Sequence, residues 1–213
     1  LHVNGEPWVR AMAFLPSQVA IVESWDTTGL RATGSHDFVV QDAFVPSSDT
    51  FSVMSDTPRE AGALYRLPFR TMTELPISAV VLGIARQSLA RFEQLVAAKP
   101  SPFGTGSLAS QPRVASTLAG TRRDIDTAAS LLQELGEEAW RTATRESPLD
   151  PAVIQRCTGD CARLVAGLVA AVGRLVPLAG MNALHRDDPF SVAWQDLNAA
   201  SAHYSVSPLL IPD

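Results

Sequence analysis

Few side chains in this 213-residue sequence could do chemistry unaided, and they are far apart. A histidine changes charge near neutrality, so it can give or take a proton. His203 ends the run Asp196-Leu197-Asn198-Ala199-Ala200-Ser201-Ala202-His203. As a single imidazole on a helical pattern it would ordinarily be structural or exposed. His36 follows a Gly-Ser turn and reads as a solvent-facing turn residue that could also face a ligand edge. His185, beside Arg186, Asp187 and Asp188, reads as part of a helix cap with a surface ion pair. The two cysteines, Cys157 and Cys161, are four apart in a helical pattern, a poor geometry for an unstrained disulfide. A metal would need further ligands, and Asp160 points to another face. The pair therefore reads as small, partly buried core residues in a reducing compartment, and no metal is expected.

The stretch WDTTGLRATGSHD, Trp25 to Asp37, offers a different chemistry. Gly29 and Gly34 let the chain reverse tightly, and Arg31 could be held by nearby carbonyls or carboxylates. Thr27, Thr28 and Ser35 could bond the turn itself or touch a ligand. Trp25 could close a β-core or stack beside a planar ring.

Two kinds of element must position these groups. From Ala11 to Pro46, short apolar runs alternate with Gly, Thr, Ser and Pro, as strands with turns do. Residues 47–63 read as a loop. Helices follow. Leu82, Ala85, Leu89, Phe92 and Val96 form one stripe, and Ile77, Val81 and Ile84 form a second on the same helix, which predicts a central position. Val114, Leu118, Thr121, Ile125, Ala128, Leu132, Leu135 and Ala139 step by threes and fours, as do Ile154, Cys157, Cys161, Leu164, Leu168, Ala171, Leu175 and Leu178. A last helix should be capped by Asp187 or Asp188, with Pro189 in its first turn and Phe190, Trp194, Leu197, Ser201 and Tyr204 inward, ending before Pro208. The predicted fold is mainly α: a four-helix bundle preceded by the end of a β-domain. Residues 1–50 would be the end of that domain, 51–63 a linker and 64–213 the bundle. Three short strands cannot close a barrel, so the β part reads as incomplete.

Composition narrows the partners. A hydrophobic content of 46% can form a sizeable core. Seventeen basic against 22 acidic residues give a net charge of -5, and no basic cluster interleaves with aromatics, so nucleic acid is an unsuitable partner. The apolar run from Leu164 to Ala179 is interrupted and falls short of a bilayer span, so no membrane segment is expected. A cytoplasmic location is the expectation, with no signal peptide visible at the amino end of a start that reads as truncated.

The strand, WDTTGLRATGSHD and FVVQDAFVP together closely resemble the end of the β-domain of the acyl-CoA dehydrogenase superfamily. The helix starting LPISAVVLGIARQSLARFEQLVAAK, the Phe103-Gly104 segment with SQPRVASTLAG, and the tail ALHRDDPFSVAWQDLNAASAHYSVSP follow in the family's order and spacing. The resemblance implies that the chain, which opens on Leu1, is a carboxy-terminal piece. It would lack an amino-terminal helical domain and the first half of the β-domain.

Within that superfamily, acyl-CoA dehydrogenases remove an α-proton with a carboxylate, which many place in an E-G-T motif after the last helix's R-D. The corresponding stretch here has no such motif, and His203 stands in the region instead. The setting D-x-x-A-A-S-x-H resembles the two-component flavin monooxygenases, which take reduced flavin, FAD or FMN, from a separate flavin reductase. In that chemistry His203 would be the catalytic acid/base when O2 reacts with reduced flavin. The implied cofactor-binding residues are Trp25, Thr27, Thr28, Phe103 and Gln111. Gln111 could approach a neighbour's flavin or simply start a helix. Pro100 stands where dehydrogenases commonly carry an arginine for the FAD pyrophosphate, which argues against permanently held FAD. The substrate would be a small aromatic or amine, and the bundle would pair into a homo-oligomer, a dimer or tetramer. Two alternatives stay open: an acyl-CoA dehydrogenase whose base, such as Glu74, reaches the pocket, and a catalytically silent assembly subunit.

Overall fold

The structure, a computed structural model, describes residues 2–3, 6–7, 9–53, 56–102, 104–145 and 150–211. Four long helices form the body: α1 (Phe69–Ala98), α2 (Pro112–Thr144), α3 (Pro151–Gly173) and, after the short α4 (Val176–Ala179), α5 (Pro189–Ser201). The β part comprises three two-stranded antiparallel pairs. They are β1 (His2–Val3) with β2 (Glu6–Pro7), β3 (Ala11–Met12) with β6 (Thr50–Phe51), and β4 (Ala20–Val22) with β5 (Asp37–Val39). The mainly α class is borne out. These strands close no barrel, and Ile21, Phe38 and Phe51 remain exposed on them.

Helix α1 is apolar on two sides because it has neighbours on both: it packs on α2, α3 and α5. Val81, Ala85, Phe92 and Val96 are fully buried along it, and the Phe92 and Phe190 rings meet at 5.3 Å. Ser205 meets Thr73 near the start of α1, whereas Phe190 meets Phe92 near its end, so α1 and α5 run antiparallel. The stripes on α2 and α3 are buried as their spacing predicts, and the Thr121 hydroxyl joins the two helices by donating to the Ala171 carbonyl at 3.1 Å.

Five local expectations change. α1 starts at Phe69 rather than beside Pro76, so that proline lies inside the helix. Its missing N–H costs one intrahelical bond, which tertiary contacts of the first turns offset. The third helix breaks after Gly173 and resumes at Val176, where Pro177 suits a first turn but not an interior. Pro151–Ala179 is nevertheless long and apolar enough to cross a membrane, further than its apolar tail alone suggested. Its apolarity has a local use, since Leu164, Val165, Leu168, Ala171 and Val172 are buried in the bundle. Thr50–Phe51 pairs with Ala11–Met12 inside a segment whose composition reads as loop. Finally, Tyr204 lies past the end of α5 and is exposed, not inward.

Asp188 is the cap of α5: its Oδ1 accepts from the amides of Phe190 at 2.9 Å and Ser191 at 3.1 Å. Asp188→Ala should therefore cost about 1 kcal/mol of stability, readable as a lowered midpoint in urea unfolding with an unchanged slope.

Candidate functional site

The turn between β4 and β5 rests directly on α5. An added Cβ on Gly29 would lie 2.1 Å from the Gln195 carbonyl oxygen, so only glycine permits this approach. The next residue, Leu30, has φ 53, a left-handed conformation costly for a branched side chain. Surrounding bonds hold it there. Its N–H donates to Asp196 Oδ1 at 2.6 Å, and its carbonyl accepts from the Trp25 indole at 2.9 Å and the Thr33 hydroxyl at 2.8 Å. Strain kept in place by several contacts marks a segment whose position matters.

Between this turn and the outer face of α5 lies a cleft of about 710 Å³. The turn supplies Asp26, Thr27, Thr28 and Arg31; the other wall is Arg186, Trp194, Gln195 and Asn198. An adjoining hollow of about 440 Å³ reaches Trp25. The cleft's polar groups have free capacity. Gln195 Nε2 donates to Ser191 Oγ at 3.0 Å and Asn198 Nδ2 to the Trp194 carbonyl at 2.7 Å, which leaves both amide oxygens to accept. Arg31 and Arg186 are exposed, so two guanidinium groups bring positive charge to its rim. A volume in this range and a few convergent polar groups suit a small organic ligand.

Trp25, Thr27 and Thr28 thus come together at one site. Thr27 also bonds its own turn, its hydroxyl donating to the Gly29 carbonyl at 2.7 Å. His36 serves structure: its Nδ1 accepts from the Trp25 amide at 3.0 Å. Arg186, which sequence reading assigned to a surface ion pair, lines the cleft instead. Trp194 was read as inward only; it packs on the core and also lines the cleft. Gln195 and Asn198 escaped notice because polar residues on the back of an amphipathic helix look like solvated surface. Their one-and-four spacing after Trp194 was the available signal.

His203 is not among the cleft-lining residues. It follows α5 directly and caps the 3-10 turn Tyr204–Val206, its Nδ1 accepting from the Ser205 amide at 3.2 Å. The ring is half-buried and packs on Tyr204, with centroids 4.9 Å apart.

Gln111 lies elsewhere. Its amide donates to Ser101 Oγ at 2.7 Å in the loop that leaves the far end of α1. The rise from Thr73, beside His203's turn, to Ala98 is roughly 38 Å at about 1.5 Å per residue. No single flavin ring system spans that, so His203 and Gln111 cannot meet the same ring within one chain. Phe103 lies outside the described residues.

Glu74 is fully buried, and its Oε1 accepts from Arg70 Nε at 2.6 Å and Thr158 Oγ1 at 2.8 Å. Among the described residues Oε2 and Thr71 Oγ1 have no hydrogen-bond partner. Glu74 lines neither part of the cleft. Glu74→Gln keeps one acceptor oxygen for Arg70 and Thr158. It should leave turnover within about twofold and stability within about 1 kcal/mol, by steady-state kinetics and thermal unfolding. A base would lose its activity. Cys157 and Cys161 are buried near this group. The hydrogen bond to Cys161, and then burial, push the Cys157 thiol far up, whereas the bond from Cys157 lowers Cys161.

Known proteins resemble this chain in sequence and fold. The family model described as "Acyl-CoA dehydrogenase, C-terminal domain" matches residues 75–208. Indole-3-acetate monooxygenase of Acinetobacter baumannii is 30% identical over 199 residues, covering 90% of this chain and 49% of that protein. The flavin-dependent monooxygenase oxygenase subunit HsaA of Mycobacterium tuberculosis is 29% identical, covering 96% of this chain and 54% of its own length. In fold, XiaF from a Streptomyces species, solved with FADH2 and glycerol, superposes with a TM-score of 0.86 at 23% identity, over 98% of this chain and 56% of XiaF. The chain spans about half the length of the curated relatives it matches. With well over half of its length matched by the family model, this chain belongs to the acyl-CoA dehydrogenase family and carries its carboxy-terminal domain.

Proposed function

We propose that the chain is the carboxy-terminal part of a flavin-dependent monooxygenase, one that takes reduced FAD or FMN from a separate reductase and oxygenates a small aromatic or amine substrate. One observation carries this reading over a dehydrogenase: among the described residues the stretch after α5 offers an imidazole and no carboxylate, and of the carboxylates near the cleft Asp26 belongs to the opposite, turn wall. Asp188 is spent on the α5 cap and Asp196 on the Leu30 amide. Glu74, the other candidate base, is enclosed between helices. The relatives' names support the same choice, both describing monooxygenases.

The cleft's donor set suits a flavin. Arg31 and Arg186 complement a phosphate, Gln195 and Asn198 can accept from ring N–H groups, and Trp25, Thr27 and Thr28 lie on the opposite wall. When bound, reduced flavin supplies the electrons that activate O2. His203 holds a proton on Nε2, since Nδ1 is engaged, and can place it against an oxygen atom or a substrate hydroxyl. Gln111 and Phe103 would serve a neighbouring subunit's flavin in a dimer or tetramer. Residues 1–50 would end the β-domain, 51–63 link it, and 64–213 form the flavin and assembly domain of a cytoplasmic enzyme.

Anaerobic titration of the full-length protein tests the cofactor reading. Reduced flavin should bind at least tenfold more tightly than oxidised flavin, about 1.4 kcal/mol or more. A tightly held oxidised flavin that an acyl-CoA bleaches would refute it.

A further inference from the structure

The turn that carries His203 is anchored by a relay of hydroxyl groups from α1. Thr73 Oγ1 donates to the Arg70 carbonyl at 2.8 Å and accepts from Ser205 Oγ at 3.2 Å. Ser205, almost fully buried, in turn points its amide at His203 Nδ1. Val206, next in the chain, is fully buried and closes the turn by donating its amide to the His203 carbonyl at 3.0 Å. Each donor in the relay has one acceptor, so its direction is fixed.

The Ser205 amide that this anchor holds in place selects a tautomer, because a backbone N–H can only donate. A neutral imidazole has one N–H and one bare nitrogen, and the nitrogen that accepts must be the bare one. With Nδ1 accepting from the Ser205 amide, the proton sits on Nε2, which no hydrogen bond reaches among the described residues.

We propose that Thr73 and Ser205 are positioning residues that lock His203 as the Nε2–H tautomer, so that it meets its ligand as a hydrogen-bond donor rather than as a base. The catalytic meaning of that lock rests on the monooxygenase reading; the lock itself does not. Neither residue lines the cleft, and Thr73 lies 130 positions before His203, joined to it through Ser205.

Solid-state proton–nitrogen correlation spectra of the full-length protein, labelled at the histidine rings, test the lock directly. The His203 signals, identified by their loss in His203→Asn, should show a protonated Nε2 and a bare Nδ1. Thr73→Val should raise the minor tautomer roughly fivefold, the effect of losing about one neutral hydrogen bond. Thr73→Ser should restore the native spectrum. Should Thr73→Val fold poorly, Ser205→Ala tests the same anchor without stranding a buried donor. A native Nδ1–H signal, or a tautomer unmoved by either substitution, overturns the proposal. The functional reading is separated by measuring product formed per O2 consumed in Thr73→Val. A shifted tautomer with unchanged coupling supports the lock but refutes a catalytic His203.

Discussion

Replacing Gly29 with alanine should weaken flavin binding roughly a hundredfold while leaving the helical bundle folded. The new methyl would sit 2.1 Å from the Gln195 carbonyl oxygen and 2.4 Å from its carbon, both backbone atoms of α5 that cannot move aside. Overpacking of this kind costs about 1–3 kcal/mol, and the charge-assisted bond from Leu30 to Asp196 would be lost with it, about 1.5–3 kcal/mol more. Apart from the packing of Leu30 on the core, these contacts are what seat the turn on α5, so it should lift off rather than distort the bundle. A penalty near 3 kcal/mol corresponds to roughly a hundredfold weaker flavin affinity, read by anaerobic titration. Far-UV circular dichroism should change little, because the helices keep their own backbone bonds even where Leu30 leaves its packing place against the core. Asp196→Asn, which keeps the acceptor oxygen and loses only its charge, should weaken binding by a smaller factor, about tenfold. Native affinity in Gly29→Ala would mean that the ligand does not use this cleft.

Removing the imidazole should separate flavin binding from oxygenation. His203→Asn is the informative substitution, since asparagine can cap the Tyr204–Val206 turn as the histidine does and keeps the Ser205 amide satisfied. The fold and its anchor on α1 are then retained, while the ring N–H is lost. A positioned proton-handling group contributes about 10²–10⁴-fold. Product formed per O2 consumed should accordingly fall at least a hundredfold, with hydrogen peroxide released in its place. Reduced-flavin affinity should change less than threefold, because the cleft walls are untouched. An equal fall in affinity and coupling would place His203 in binding instead.

The bundle was legible because burial repeats along a helix. Val114 to Ala139 on α2 and Cys157 to Leu175 along the third helix each form a stripe that only an inward face explains, and they lie inward. The boundaries were less legible. Pro76 looks like a helix start, yet α1 begins seven residues earlier, where Glu74 bonded to Thr158 and Thr73 bonded to Ser205 hold the first turns. No local pattern announces partners more than 80 positions away. Strand β6 is hidden for the same reason: Thr50–Phe51 becomes a strand by pairing with Ala11–Met12.

The site was readable in halves. The Trp25–Asp37 turn and His203 were visible as residue types in a setting. Arg186, Gln195 and Asn198 acquire meaning only when the turn docks on α5, and the glycine that permits docking is one of many in the chain. The same docking consumes Asp196, a carboxylate that could otherwise have been taken for a base.

The most direct test supplies the full-length protein with chemically reduced flavin, isotopically heavy O2 and a panel of phenols, indoles and aryl amines, and weighs the products by mass spectrometry. Heavy oxygen in a product, with its yield collapsing in His203→Asn, is the expected result. No incorporation from any of them, together with reduction of bound flavin by an acyl-CoA, would contradict the account.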